Sequence, residues 1–89
     1  MRIKIEDTKQ LGAIVKCVRQ SQSLDQETAG LLSGNGLTFI SQFENGKETA
    51  EIARVFNLLT QLGIELEVSL PQDISDKAVG KIKNICHLG

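Results

Sequence analysis

The chain has 89 residues, enough for one domain around one modest core. Two-fifths of them are apolar, which sets the chain apart from disordered sequences, but only Phe39, Phe43 and Phe56 are aromatic, so the core must be aliphatic. Ten Lys and Arg against eleven Asp and Glu give no global reason to bind nucleic acid, and no apolar run is long enough to span a bilayer.

Arg2 to Ile5 alternates, with Ile3 and Ile5 to one side, and predicts a short strand. Asp7 or Thr8 then offers an oxygen to an orphan backbone N–H, and Leu11, Ile14, Val15 and Val18 recur at helical spacing. A first helix is expected over 8–21, with Cys17 packed as a small apolar residue. Asp25 caps a second helix, with Ala29 and Leu32 inward, which runs to Ser33 and stops at Gly34. Leu37 to Glu44 reads as a third helix with Ile40 and Phe43 inward, closed by Asn45 and Gly46. Thr49 is the expected cap of a fourth, whose stripe is Ile52, Val55, Phe56, Leu59 and Leu62, with Gly63 as its stop. Ile64 to Leu70 then switches to period two, with Ile64, Leu66, Val68 and Leu70 opposite Glu65, Glu67 and Ser69. That pattern predicts a half-buried strand, ended by Pro71. Residues 75–88 bring Ala78, Ile82, Ile85 and Cys86 together as a weak amphipathic helix interrupted by Gly80.

The inventory for catalysis is poor. Cys17, Cys86 and His87 make no zinc quartet and no nucleophile–base pair, so no catalytic residue, metal or cofactor is expected and the thiols stay free. The Gly34-Asn35-Gly36 turn lacks the Gly-Lys-Ser/Thr that a phosphate loop needs. With no leader-like segment, a cytoplasmic location is expected.

The informative stretch is LDQETAGLLSGNGLTFISQFENGK, Leu24 to Lys47. Two short helices meet at a tight turn around Gly34, with Gly30 where the second must approach closely. Such a pair exposes the N-terminal end of its second helix, which can enter a major groove. Spacing alone fits a helical hairpin with no role on DNA equally well. Position by position, however, the stretch resembles the Cro/repressor helix-turn-helix family: Asp25 and Gln26, the small Gly30, the turn Gly34, then FISQFENGK from Phe39 to Lys47. Its continuation, Thr49 to Leu66, looks like the HipB-type antitoxin branch. The resemblance covers roughly residues 9–70.

This resemblance implies a mainly α fold: a four-helix helix-turn-helix domain over 1–70, ending in a short C-terminal β-strand over 64–70 that pairs across a dimer, with 71–89 as a tail. It makes Gln26 a contact to the DNA backbone. Gly36, Leu37, Thr38, Ser41 and Gln42 become groove-facing positions of the recognition helix, and Lys47 a phosphate contact. Ile64, Leu66, Val68 and Leu70 become the dimerisation strand; the same strand could instead pair with Arg2–Ile5 of its own chain. Arg19 and Glu44 match a structural ion pair tying the first helix to the third. The implied partners are an inverted-repeat operator in double-stranded DNA, a second copy, and a HipA-like kinase toxin, single or split into two chains. The alternative is a small stand-alone repressor with no toxin. Three departures stand out: Thr38 where relatives carry a basic residue, Asn35 in place of a β-branched apolar residue, and Glu48 in place of Pro. Fewer cations at the groove should weaken binding and its salt dependence.

Overall fold

The computed structural model describes residues 1–87 and consists of five helices, α1 (Thr8–Ser21), α2 (Gln26–Ser33), α3 (Leu37–Glu44), α4 (Ile52–Leu62) and α5 (Asp76–Ile85). Positions 88 and 89 of the expected tail lie outside the described residues. The starts of α1, α2 and α5 follow from short polar side chains. Asp7 accepts the Gln10 N–H at 2.7 Å, Asp25 the Thr28 N–H at 2.7 Å and Ser75 the Ala78 N–H at 3.2 Å. The ends of α1 to α4 share one device, a backbone bond from a residue back to the carbonyl five positions earlier. Leu24 bonds to Arg19, Asn35 to Gly30, Lys47 to Gln42 and Ile64 to Leu59. Each needs a left-handed residue inside the turn, supplied by Gly34, Gly46 and Gly63, and at the end of α1 by Ser23 with φ 59°.

The core is Val15 of α1, Ala29 of α2, Ile40 and Phe43 of α3, and Val55, Leu58, Leu59 and Leu62 of α4. Here α1 packs against α3 and α4, and α2 packs against α3 and α4. Glycine makes two of these approaches possible. A Cβ on Gly12 would collide with the backbone carbonyl of Phe43, and one on Gly30 would lie 2.8 Å from the Asn35 carbonyl oxygen. Asn35 is buried, and its amide donates to Ser33 Oγ at 3.0 Å and to the Arg54 carbonyl at 3.1 Å. The bond to Arg54 therefore pins the α2–α3 turn to α4, and the one to Ser33 ties it to the end of α2, where an apolar residue would have relied on packing.

Several sequence expectations are corrected. The buried face of α4 centres on Val55, Leu58, Leu59 and Leu62, while Ile52 is 63% and Phe56 49% exposed. Phe56 follows Val55 by one residue, about 100° around the helix, which carries it off the face that meets α1 and α2. Leu32 is 53% exposed, because the side of α2 that meets its neighbours is the small-residue side, Ala29, Gly30 and Ser33. Cys17 is exposed as well. Thr49 does not cap α4, whose N-cap is Glu51 with no side-chain bond.

Neither Arg2–Ile5 nor Ile64–Leu70 is a strand among the described residues. Both run without helix or ladder, and beyond Ile64 no backbone bond joins 64–70 to 1–6. Period-two alternation describes how side chains would sort on a sheet; the ladder itself needs a second backbone in register, and the single chain supplies none. An exposed Arg2 Nε–Glu67 Oε2 pair at 3.2 Å links the two segments. Ile64 still packs on the core, whereas Leu66, Val68 and Leu70 are exposed, Val68 at 83%.

The α5 helix forms despite Gly80, yet buries no residue. The radius of gyration is 15.4 Å, against roughly 12 Å for a compact chain of this length. Among the described residues no helix is long and apolar enough to cross a membrane.

Candidate nucleic-acid interface

The α3 helix is divided lengthwise by its contacts. Ile40, Phe43 and Glu44 are buried at spacings of three and four, which turns Thr38 and Gln42 to the opposite, exposed side. Leu37 is exposed at the N-terminal end and Ser41 is half-buried on the flank. Gly36, the N-cap, is exposed and provides no side-chain cap, so the first N–H groups of α3 are left for solvent or a ligand. Lys47, just past α3, donates from Nζ to Gln42 Oε1 at 3.1 Å. That bond occupies the Gln42 carbonyl and leaves its amide as a donor.

The angle of α3 is held from behind. Arg19 Nε donates to Glu44 Oε2 at 2.7 Å and Nη2 to Oε1 at 2.8 Å, a bidentate pair whose side chains are 7% and 0% exposed. Arg19 Nη1 adds a 2.8 Å bond to the Leu24 carbonyl, and Gln26 Nε2 a 3.1 Å bond to Glu44 Oε1. Every buried side-chain nitrogen and oxygen among the described residues has a partner. Burial, the largest influence on Glu44, pushes its carboxyl up. The hydrogen bonds from Arg19 and Gln26, with the charges of Arg19 and Lys16, outweigh it and hold the group below its ordinary range. On the other side, the hydrogen bond to Glu44 raises the Arg19 guanidinium further, against desolvation.

Of the positions with a DNA role implied by the sequence, Gly36, Leu37, Thr38, Ser41, Gln42 and Lys47 gather along α3 and the turn after it. Gln26 is set apart on α2 and faces Glu44. Leu66, Val68 and Leu70, expected in a dimerisation strand, follow α4 in the chain and do not line the groove beside α3.

One residue on this side was missed in the sequence. A groove of about 330 Å³ runs between α3 and the start of α4, and Arg54 lines it with Thr38, Gln42, Lys47 and Glu51. The Arg54 guanidinium lies 5.9 Å from the centre of the Phe39 ring, which itself stacks on Phe43 at 6.0 Å, and its Nε is 3.1 Å from Glu51 Oε2. The available signal was the phase of α4: once Val55 and Leu58 face inward, Arg54 falls on the flank beside α3.

No family model matches the chain. It is 37% identical over 71 residues to the uncharacterized HTH-type transcriptional regulator y4mF of Sinorhizobium fredii, a match covering 80% of this chain and 93% of the relative. Among solved structures, HipB in the HipA-HipB-O2-O3 complex superposes with a TM-score of 0.73 at 25% identity, covering 80% of this chain and 100% of that one. HipB in the HipB-O1-O2 complex gives 0.71 at 26% identity, over 78% of this chain and 100% of that one. The restriction-modification controller protein C.AhdI of Aeromonas hydrophila gives 0.61 at 29% identity, over 66% and 86% of the two chains. With a regulator as its relative over four-fifths of its length, and the exposed α3 of a HipB-like helical fold, the chain belongs to the HTH-type transcriptional regulators and is not an enzyme.

Proposed function

We propose that the chain is a cytoplasmic repressor that binds an inverted-repeat operator as a homodimer, silences its own operon and acts as antitoxin to a HipA-like kinase toxin, single or split. The observation that carries the DNA-binding part is α3: its apolar side and Glu44 are locked inside while Thr38 and Gln42 face out beside an uncapped N-terminus. In this reading Thr38, Ser41 and Gln42 meet base edges, Leu37 meets a thymine methyl, and Gly36 lets the backbone come close. Lys47 and Gln26 hold phosphates, the second amide hydrogen of Gln26 being available while the first is given to Glu44. An anisotropy titration tests the assignment. Thr38→Ala and Ser41→Ala are expected to relax preference among operator variants, and Lys47→Ala to weaken all duplexes alike. Equal loss on every duplex for all three variants would remove the base-reading role.

In the same reading, 64–70 of two copies pair across the two-fold axis. An extended segment with unpaired backbone and exposed Leu66, Val68 and Leu70 has the properties of half a two-chain ladder. Val68→Asp or Leu66→Asp is expected to turn the dimer into monomer or aggregate by light scattering, at a cost of several kcal/mol. An unchanged dimer would move the interface elsewhere.

The antitoxin role is supported by the likeness to HipB, which is found in complex with HipA, and by α5, a helix with no buried residue beyond what the four-helix body needs. The likeness to the controller protein C.AhdI favours the stand-alone repressor instead. Co-expression with the adjacent gene products separates the two. A kinase-like protein that co-purifies in fixed stoichiometry supports the antitoxin, and its absence supports the repressor alone.

A further inference from the structure

Although Thr38 is not basic, the groove beside it contains a cation from another helix. We propose that Arg54 of α4 is a DNA phosphate contact, with Glu51 as its counter-ion in the free protein. The inference rests on the repressor reading of α3 and adds a residue to it from outside the helix-turn-helix.

Three observations carry it. First, Arg54 shares one groove with Thr38, Gln42 and Lys47, so a backbone that follows the exposed side of α3 passes its guanidinium. Second, the group is aimed: the face of Phe39 lies beneath it and Glu51 holds its Nε, while the backbone of Arg54 is fixed by Asn35. A positioned guanidinium loses less conformational freedom when it meets a phosphate than a free lysine would. Third, the existing pair explains little of the fold. Both side chains are more than half exposed, and an exposed ion pair three residues apart on a helix contributes almost nothing to stability.

A phosphate competes with Glu51 for the same donors. Binding therefore exchanges one anion for another, and Glu51 lowers affinity for any duplex regardless of its sequence. Two features of the sequence then have one explanation: the cation expected on α3 is supplied from α4, and a carboxylate limits its strength.

The test is a salt titration of the full chain on a fluorescein-labelled, random-sequence duplex of about 30 base pairs, between about 50 and 200 mM NaCl. Arg54→Gln is expected to weaken binding about tenfold and to reduce the log–log salt slope by about 0.9 for each Arg54 engaged. Arg54→Lys, which keeps the charge, should restore most of that slope. Glu51→Gln should tighten binding about threefold, an effect lost in the Arg54→Gln background. Melting temperature should hardly move in any of them, since the Asn35 bond goes to the Arg54 backbone. A wild-type slope in Arg54→Gln, or weaker binding in Glu51→Gln, would overturn the inference while leaving the repressor reading intact. A wild-type protein that binds no duplex even at low salt would overturn both.

Discussion

Arg19→Met is expected to cost about 3–5 kcal/mol of folding stability, because it leaves the Glu44 carboxylate buried without its cation. That is a large share of the roughly 5–15 kcal/mol by which a folded domain is stable. Glu44→Gln should cost less. A Gln can still accept one bond from Arg19, and the guanidinium keeps the Leu24 carbonyl. Replacing both should cost less than the sum of the two, since neither charge is then stranded, and that non-additivity in a thermal double-mutant cycle is the signature of a coupled pair. Acid provides an independent reading. The carboxyl of Glu44 is held below its ordinary range, so its contribution to stability is complete above the ordinary Glu pKa of about 4.3 and is lost as pH falls through the lower folded value. The wild type should lose stability over that acid window by an increment that the doubly substituted chain lacks. Additive effects and parallel acid profiles would mean that something else holds α3 at its angle.

The second large effect belongs to a residue with no side chain. Gly12→Ala gains about 1 kcal/mol of helix propensity, yet its new methyl meets the Phe43 carbonyl, which belongs to backbone and cannot swing aside. To relieve the clash α1 must move off α3, opening the contact that Val15, Ile40 and Phe43 close. We expect a net loss of about 2 kcal/mol, and more for Gly12→Val, seen as a lower urea midpoint. Gly80→Ala is the control, because nothing lies within 4 Å of its position in α5. It should raise helicity. An unchanged midpoint in Gly12→Ala would mean that the close approach of α1 and α3 is not obligatory.

The parts of this fold that were legible in the sequence are those governed by local chemistry. Asp7, Asp25, Gly34, Gly46 and Gly63 mark helix ends because a carboxylate accepts orphan N–H groups and glycine tolerates positive φ, and the bounds of α1, α2 and α3 follow from them. What was illegible depends on neighbours. The inward face of α4 is chosen by where α1 and α2 sit, so a stripe containing Ile52 and Phe56 looked as good as the one containing Leu58. Leu32 was misplaced for the same reason: hydrophobicity suggests burial, but close packing at Gly30 favours the small side of α2. The alternation over 64–70 was real, yet alternation does not supply a partner strand. Arg54 escaped because its relation to α3 is tertiary, across a groove no linear motif spans.

Whether α3 reads DNA from a two-fold protein is decided by footprinting the region upstream of the gene. Two protected major-groove patches related by an inverted repeat are expected, with centres about 34 Å apart, one helical turn, on the same side of the duplex. Protection should weaken with added salt and weaken further in Lys47→Ala. No protection at any salt concentration, whether the protein is alone or co-expressed with its neighbours, would contradict that role of α3.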